Sequence, residues 1–270
     1  MAESACVRCG HCVDVCPVGA IYMKEHKDEM LFMAHSYDTD VAAQVSADVI
    51  PELAGLFKVD ENEITLGKIT ASLHKVGVKS VVSDEHARAM SAKQAAEIIE
   101  KKIGKEPVII TDSSAVMHFS ERYFPAMQDM IDCYDSVQTS FCKAAAELAG
   151  DKPLKLVNIT NVKEAGAEGK ETGNADYVIN ARELYRIFLR TGGAPHKRAA
   201  QKFDKTWNDG ALPYKELLGA AGWNLASDPE EVAIIVDGKP YKCAVAHNLG
   251  QVRKLLEGDY KNYAVVRLMA

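Results

Sequence analysis

Lys105-Glu106-Pro107-Val108-Ile109-Ile110-Thr111-Asp112-Ser113-Ser114-Ala115 is the stretch that decides the fold. Four consecutive apolar or β-branched residues behind a proline read as a strand buried on both faces, the pattern of a parallel sheet. Asp112, Ser113 and Ser114 then end the strand just before a helix. Small polar residues there either cap the helix or line the crevice in which open α/β sheets bind ligands. Capping is the weightier of the two readings.

Outward from that strand the same alternation continues. Toward the N-terminus, Met30 to Ala34 reads as a short buried strand. Val41, Val45, Val49, Leu53 and Leu56 recur at helical spacing. Leu66 to Val76 reads as a helix stopped by Gly77, Val78 to Val82 as a strand, and Ser91 to Ile103 as a helix closed by Gly104. Toward the C-terminus, Glu121 to Ile131 and Ser136 to Ala149 read as helices and Leu154 to Ile159 and Tyr177 to Ile179 as strands. Ala181 to Arg190 reads as a helix, Tyr241 to Ala246 as a strand, Gly250 to Glu257 as a helix, and Tyr263 to Leu268 as a last strand. Residues 191–230, with Trp207 and Trp223, are the least regular part. Strands alternating with helices predict an α/β fold with parallel sheets flanked by helices.

The N-terminus carries different chemistry. Cys6, Cys9, Cys12 and Cys16, followed by Pro17, form a C-x2-C-x2-C-x3-C-P run. This is the spacing with which bacterial-type ferredoxins hold an iron–sulfur cluster. Two-residue gaps let a tight loop aim thiolates at the corners of one small cube. A zinc knuckle would use two separated C-x-x-C pairs or add histidines. A disulfide staple fits poorly with an odd total of seven cysteines. The expected cofactor is one 4Fe–4S cluster per chain, held by Cys6, Cys9, Cys12 and Cys16.

The fourth ligand is open. In two-cluster ferredoxins the last cysteine of each run serves the other cluster, and this chain has a single run. Either Cys16 folds back onto the local cluster, or a distant cysteine (Cys133, Cys142 or Cys243) completes it, or two chains exchange Cys16. The last arrangement is a homodimer sharing a two-cluster ferredoxin module across a two-fold axis.

Composition narrows the function classes. The chain has 270 residues and a net charge of −6, from 32 basic and 38 acidic residues, so it lacks a nucleic-acid footprint. No apolar run reaches the length of a membrane span, and the first residues do not read as a signal peptide. Thiolates that hold iron must stay reduced, which points to an anaerobic, cytoplasmic setting. No glycine-rich phosphate loop is present, so no NAD, flavin or ATP site is expected.

Over nearly its full length the sequence resembles the iron-only (di-iron) hydrogenases. Leu31-Phe32-Met33-Ala34-His35 resembles the family's "QIAPA" segment, and Ile64 to Val78 its "TGKMVAALRRLGF". Pro107 to Ala115 with Glu121-Arg122-Tyr123-Phe124-Pro125 resembles "PVITSCCPAW…EKYYP". Asp176 to Leu184 resembles "DAVLTTREL", and Ala244 to Leu256 "AVVHGLGNARKLL". The resemblance implies a ferredoxin-like module over 1–28, a first hydrogenase-like lobe over 29–105 and a second over 106–270.

The departures from the family carry the functional expectation. Where its "TSCC" motif supplies a proton-relaying thiol and a catalytic-cluster ligand, this chain has Ser113 and Ser114. Its "MPCxxKK" segment corresponds to Asn158-Ile159-Thr160-Asn161-Val162-Lys163, without a cysteine. The given sequence ends at Arg267-Leu268-Met269-Ala270, short of the last two expected cysteines. A serine hydroxyl stays protonated near neutral pH and is a poor thiolate substitute. Ser113 and Ser114 are therefore expected to mark a vestigial hydrogenase site. The expected function is an iron–sulfur electron-transfer subunit, not an active hydrogenase, serving redox partner subunits in a larger anaerobic oxidoreductase complex. The alternatives are an enzyme with an altered metal cofactor in the old cleft, and a redox sensor or assembly factor.

Overall fold

The computed structural model describes residues 5–18, 20–207, 211–219 and 226–270; Trp223 lies outside them. In chain order the elements are α1 (His11–Asp14), α2 (Lys27–Ala34), β1 (Asp40–Val45), α3 (Ile50–Phe57), α4 (Leu66–Val76), β2 (Ser80–Ser83) and α5 (Glu85–Lys102). Then come β3 (Val108–Thr111), α6 (Ser114–Tyr123), β4 (Ile131–Cys133), α7 (Val137–Ala144), β5 (Leu154–Ile159), α8 (Ala165–Thr172), β6 (Tyr177–Ile179) and α9 (Ala181–Thr191). The last are α10 (Lys215–Leu218), β7 (Glu230–Val236), β8 (Lys239–Ala246), α11 (Leu249–Leu256) and β9 (Val265–Leu268). The fold is α/β, with parallel sheets flanked by helices.

The chain forms two compact units, each discontinuous in sequence. One comprises residues 11–87 and 138–208 and holds a parallel sheet of order β2-β1-β5-β6. Val41, Val45, Leu53, Ile69, Val81, Val157, Ile179, Leu184 and Phe188 form its core. Buried within the same unit is a chain of amides: Gln44 Nε2 donates to Asn158 Oδ1, Asn158 Nδ2 to Gln138 Oε1, and Gln138 Nε2 to the Ala165 carbonyl.

The other unit comprises residues 1–10, 88–137 and 209–270, with a sheet of order β4-β3-β9-β8-β7. Its parallel strands are joined by one antiparallel pair, β7 with β8. Two apolar clusters fill this unit. Ile99, Val108, Ile110, Cys243, Val245 and Val265 belong to one, and Ile109, Val116, Val252, Leu255 and Val266 to the other. Successive residues of β3 join different clusters, because a strand's side chains alternate between its two faces. Both faces are therefore buried.

Several elements differ from the sequence expectation, each for a physical reason. Met30 to Ala34 lies in helix α2, not a strand. Only Met30 of its residues is fully buried while Phe32 is exposed, and Asp28 and Glu29 occupy the favourable first turn. Val41 to Val45 is strand β1. It is buried on both faces, so valines four apart mimic a helical stripe. The helix expected over Glu121 to Ile131 begins earlier, at Ser114, and stops at Tyr123. Phe124-Pro125 breaks it, a 3-10 turn follows, and Ile131 opens β4. β7 was not anticipated, although its hairpin turn is the Asp-Gly pair, Asp237 and Gly238, with φ of 50° and 75°. α8 was not anticipated either; three glycines and threonine in or next to it dilute its periodicity.

Candidate functional site

The cysteine loop is built by local backbone geometry. Arg8 and Gly10 adopt positive φ (61° and 79°), turning the chain sharply between Cys6 and Cys12. The single turn α1 follows, and Val15 N–H donates to the His11 carbonyl. All seven cysteines are free thiols; Cys6 and Cys12 are exposed, Cys9 and Cys16 half-buried. The Arg8 N–H points at Cys6 Sγ (3.4 Å) and the Ala20 N–H at Cys16 Sγ (3.3 Å). Backbone N–H groups directed at sulfur stabilise thiolate charge and tune iron–sulfur centres. Soft sulfur donors of this number and spacing fit a 4Fe–4S cluster. Among the described residues no three His, Cys, Asp or Glu side chains converge as a metal-ligand set.

The remaining cysteines have unfavourable surroundings for thiolate chemistry. Burial pushes the Cys142 thiol up to about 12, helped by the carboxylates of Glu168 and Asp176. Burial takes Cys243 up to about 11. Cys133 is raised by partial burial and by Asp132, Asp112 and Glu121. In the absence of a metal these surroundings favour the protonated thiol.

Ser113, at the end of β3, acts as a helix cap. Its Oγ accepts the Val116 N–H at 3.1 Å, and its own N–H donates to Thr111 Oγ1 at 3.1 Å. Thr111 Oγ1 in turn donates to the Leu268 carbonyl at 2.8 Å, tying β3 to β9. Ser113 is buried, and half-buried Ser114 is the first residue of α6.

Beside this strand end lies a buried cation that sequence inspection did not single out. Arg267, on β9, is 7% exposed. Its Nε donates to Tyr134 Oη (3.1 Å), and Nη1 to the carbonyls of Leu217 (3.1 Å) and Leu218 (2.9 Å). Its Nη2 stands 3.8 Å from Asp112 Oδ2. Burial, together with the charge of Asp112, raises the Tyr134 phenol strongly and keeps it protonated. Three strand ends thus meet in a polar knot around one guanidinium, which completes the carbonyls of α10. A charged residue inside an otherwise apolar last strand was the available signal.

The Asn158 to Lys163 segment is spoken for by structural bonds as well. Thr160 Oγ1 donates to Asp48 Oδ2 at 2.6 Å and the Asn161 N–H does so at 3.0 Å. Asn161 Nδ2 donates to the Asp48 carbonyl, and its Oδ1 accepts the Ala181 N–H. Burial raises the Asp48 carboxyl; these donors oppose the shift and Asp84 adds to it.

The same segment walls a cavity of about 440 Å³ within its unit. The loop after β5, α8, strand β6 and the first turn of α9 bound it, and residues 23–26 close it. Those residues are anchored by Glu183, whose Oε1 accepts the N–H groups of His26 (2.6 Å) and Lys27 (3.1 Å).

Comparison with known proteins adds the following. Residues 39–270 match the family described as iron only hydrogenase large subunit, C-terminal domain. Residues 2–22 match the 4Fe-4S binding domain. The NADP-reducing hydrogenase subunit HndD of Solidesulfovibrio fructosivorans is 26% identical over 323 residues, covering 100% of this chain and 54% of that protein. The chain thus spans about half the length of the curated relative it matches. Two structures of FeFe-hydrogenase HydA1 variants from Chlamydomonas reinhardtii, one of them the apo protein, superpose with TM-scores of 0.66 and 0.67. Each is 15% identical and covers 92% of this chain and 82% of its own. At that identity they speak for the fold alone.

Proposed function

The chain belongs to the iron-only hydrogenase large-subunit family, and from that premise we propose that it is an iron–sulfur electron-transfer subunit of a larger oxidoreductase complex. One 4Fe–4S cluster per chain would be held by Cys6, Cys9, Cys12 and Cys16, and when bound it supplies a one-electron carrier. The N–H groups of Arg8 and Ala20 orient and partly neutralise two of the sulfurs. The hydrogenase-like body serves docking and assembly. Similarity to a subunit of an NADP-reducing hydrogenase supports membership of a multi-subunit assembly.

One contrast carries this reading. A four-thiol run stands at the N-terminus, whereas the strand end where the family has a relaying thiol and a cysteine ligand carries Ser113 and Ser114, and the Ser113 hydroxyl is used as a helix cap. An oxygen that accepts a backbone N–H and keeps its proton offers iron little. The Asn158 to Lys163 segment, the other internal ligand position, holds amides and a hydroxyl already bonded to Asp48 and Ala181.

The test is iron and acid-labile sulfide per chain on anaerobically purified protein. About four irons and four sulfides per chain are expected for one cluster. A clear excess of iron would overturn the scaffold reading and place an altered metal cofactor in the old hydrogenase cleft.

A further inference from the structure

Residues 194–207 cross their unit as a strap that forms no regular element beyond the single 3-10 turn Pro195–Lys197. Its backbone is laid against two elements of the same unit. The Gln201 N–H donates to the Gly67 carbonyl at 2.9 Å, in the first turn of α4. A Cβ on Gly67 would meet the Gln201 carbonyl oxygen at 2.8 Å, so the strap passes this close only because residue 67 is glycine. Further on, the Asp204 N–H donates to the Val81 carbonyl (2.9 Å), and Asp204 Oδ2 accepts the Val81 N–H (2.6 Å). The strap thereby bonds to β2, which ends the order β2-β1-β5-β6.

Two histidines of the unit grip this strap. His74, in the last turn of α4, has Nδ1 3.1 Å from the Val78 carbonyl oxygen and Nε2 3.2 Å from Asp204 Oδ2. Both of those oxygens accept hydrogen bonds. A neutral imidazole carries a single N–H, so one of its two contacts then sets a lone pair against an oxygen; the charged ring donates to both. His86, in the first turn of α5, stacks on Trp207 with ring centroids 4.2 Å apart and planes at 11°. The Trp207 indole N–H donates to Glu147 Oε2 (3.1 Å), and Lys205 pairs with the same carboxylate. Lys205, then the indole, and more weakly the charge of His86 hold the Glu147 carboxyl below the usual range. An imidazolium on an indole face gains a cation–π attraction that the neutral ring lacks. The charges around each ring are mixed. Asp204 faces His74, with Lys75 beside it on α4. Glu147 and Lys205, the latter 5.1 Å from the Trp207 ring, stand across from His86, with Glu85 beside it on α5.

We propose that residues 198–207 form a proton-controlled strap, clasped to its unit by His74 and His86 when they are charged and loosened when they are neutral. The sign follows from the contacts: both favour the protonated ring, so the clasp holds at lower pH and weakens as pH rises. The side chains of His74 and Asp204 are 26% and 38% exposed, so solvent protons reach the pair. The chain leaves this unit for the other between residues 208 and 209, so a loosened strap gives that connection more slack. The inference goes beyond the electron-transfer reading and does not depend on it, because its readout is backbone protection.

The experiment is amide hydrogen exchange of the anaerobically purified full chain from about pH 5 to about pH 8, the window in which histidine changes charge. Exchange is expressed as protection relative to the unfolded amide, which cancels the intrinsic pH dependence. Protection at Gln201 and Asp204 should fall about fivefold across the range, the size expected for two partly exposed charge contacts. Amides of β1 and β5 should keep theirs. A chain carrying both His74→Gln and His86→Gln should show the low protection of the strap throughout, with β1 protection verifying that it is folded. Constant protection at residues 201 and 204 in the wild-type chain, or the wild-type slope in the folded double variant, would overturn the proposal.

Discussion

At the residue scale, the chemistry divides between thiols that are available and thiols or hydroxyls that are not. Replacing Cys9 with alanine should remove the cluster, seen as loss of its visible absorbance and of bound iron. Ser114→Ala should leave both unchanged, because that hydroxyl belongs to the first turn of α6 and not to a ligand set. Loss of electron transfer in Ser114→Ala would reinstate a catalytic strand end. Arg267 makes a different kind of claim. Truncation to alanine would strand Asp112 and the two carbonyls it completes. A cost of about 3 to 5 kcal/mol in denaturant unfolding is expected for breaking a buried charged network. An effect below about 1 kcal/mol would mean that the guanidinium is dispensable to the fold.

At the element scale, two contacts decide how segments are held. Glu183 closes the capping box of α9 with Asn180 and also receives the N–H groups of His26 and Lys27. Glu183→Ala should cost about 1.5 to 3 kcal/mol, the worth of bonds to a charged acceptor. It should also accelerate hydrogen exchange at the amides of residues 26 and 27; unchanged exchange there would show that other contacts hold the segment. Asp48 secures the loop after β5, and burial raises its carboxyl above the usual aspartate value. Between the unfolded and native pKa values the native state binds more protons, so this group's contribution makes stability fall as pH rises through that window. Asp48→Asn should flatten that part of the stability profile, as followed by the denaturant midpoint at stepped pH. An unaltered slope would assign the pH dependence to other carboxylates.

At the scale of the whole molecule, the open question is how many chains share the iron. A module with a single cysteine run either completes its own cluster with Cys16 or exchanges it with a second copy. If the exchange operates, the mass of the cluster-loaded sample should be that of a dimer, and Cys16→Ser should lower both iron content and mass. A loaded monomer with a full cluster would exclude exchange. Among the described residues no helix is long and apolar enough to cross a membrane. Exposed Val15, Val18 and Tyr22 stand near Cys12 and Cys16 in the sequence.

The amino-acid sequence by itself determined the local chemistry and the α/β character. The spacing of Cys6, Cys9, Cys12 and Cys16 is a short-range pattern, and so is the strand-to-cap signal from Val108 to Ser113. Such patterns act through neighbouring residues, so they are legible without coordinates. The helix from Leu66 to Val76 and strands β5 and β6 were legible for the same reason. The α2 segment and β1 were not, because a strand buried on both faces and a short helix carry similar runs of apolar residues. Only the tertiary structure decided that β1 pairs with β5, more than a hundred residues away, and that β3 lies between β4 and β9. It alone gathered Arg267, Tyr134 and Asp112. Those outcomes depend on which distant surfaces bury one another, and the energy of such burial is proportional to area and blind to sequence order.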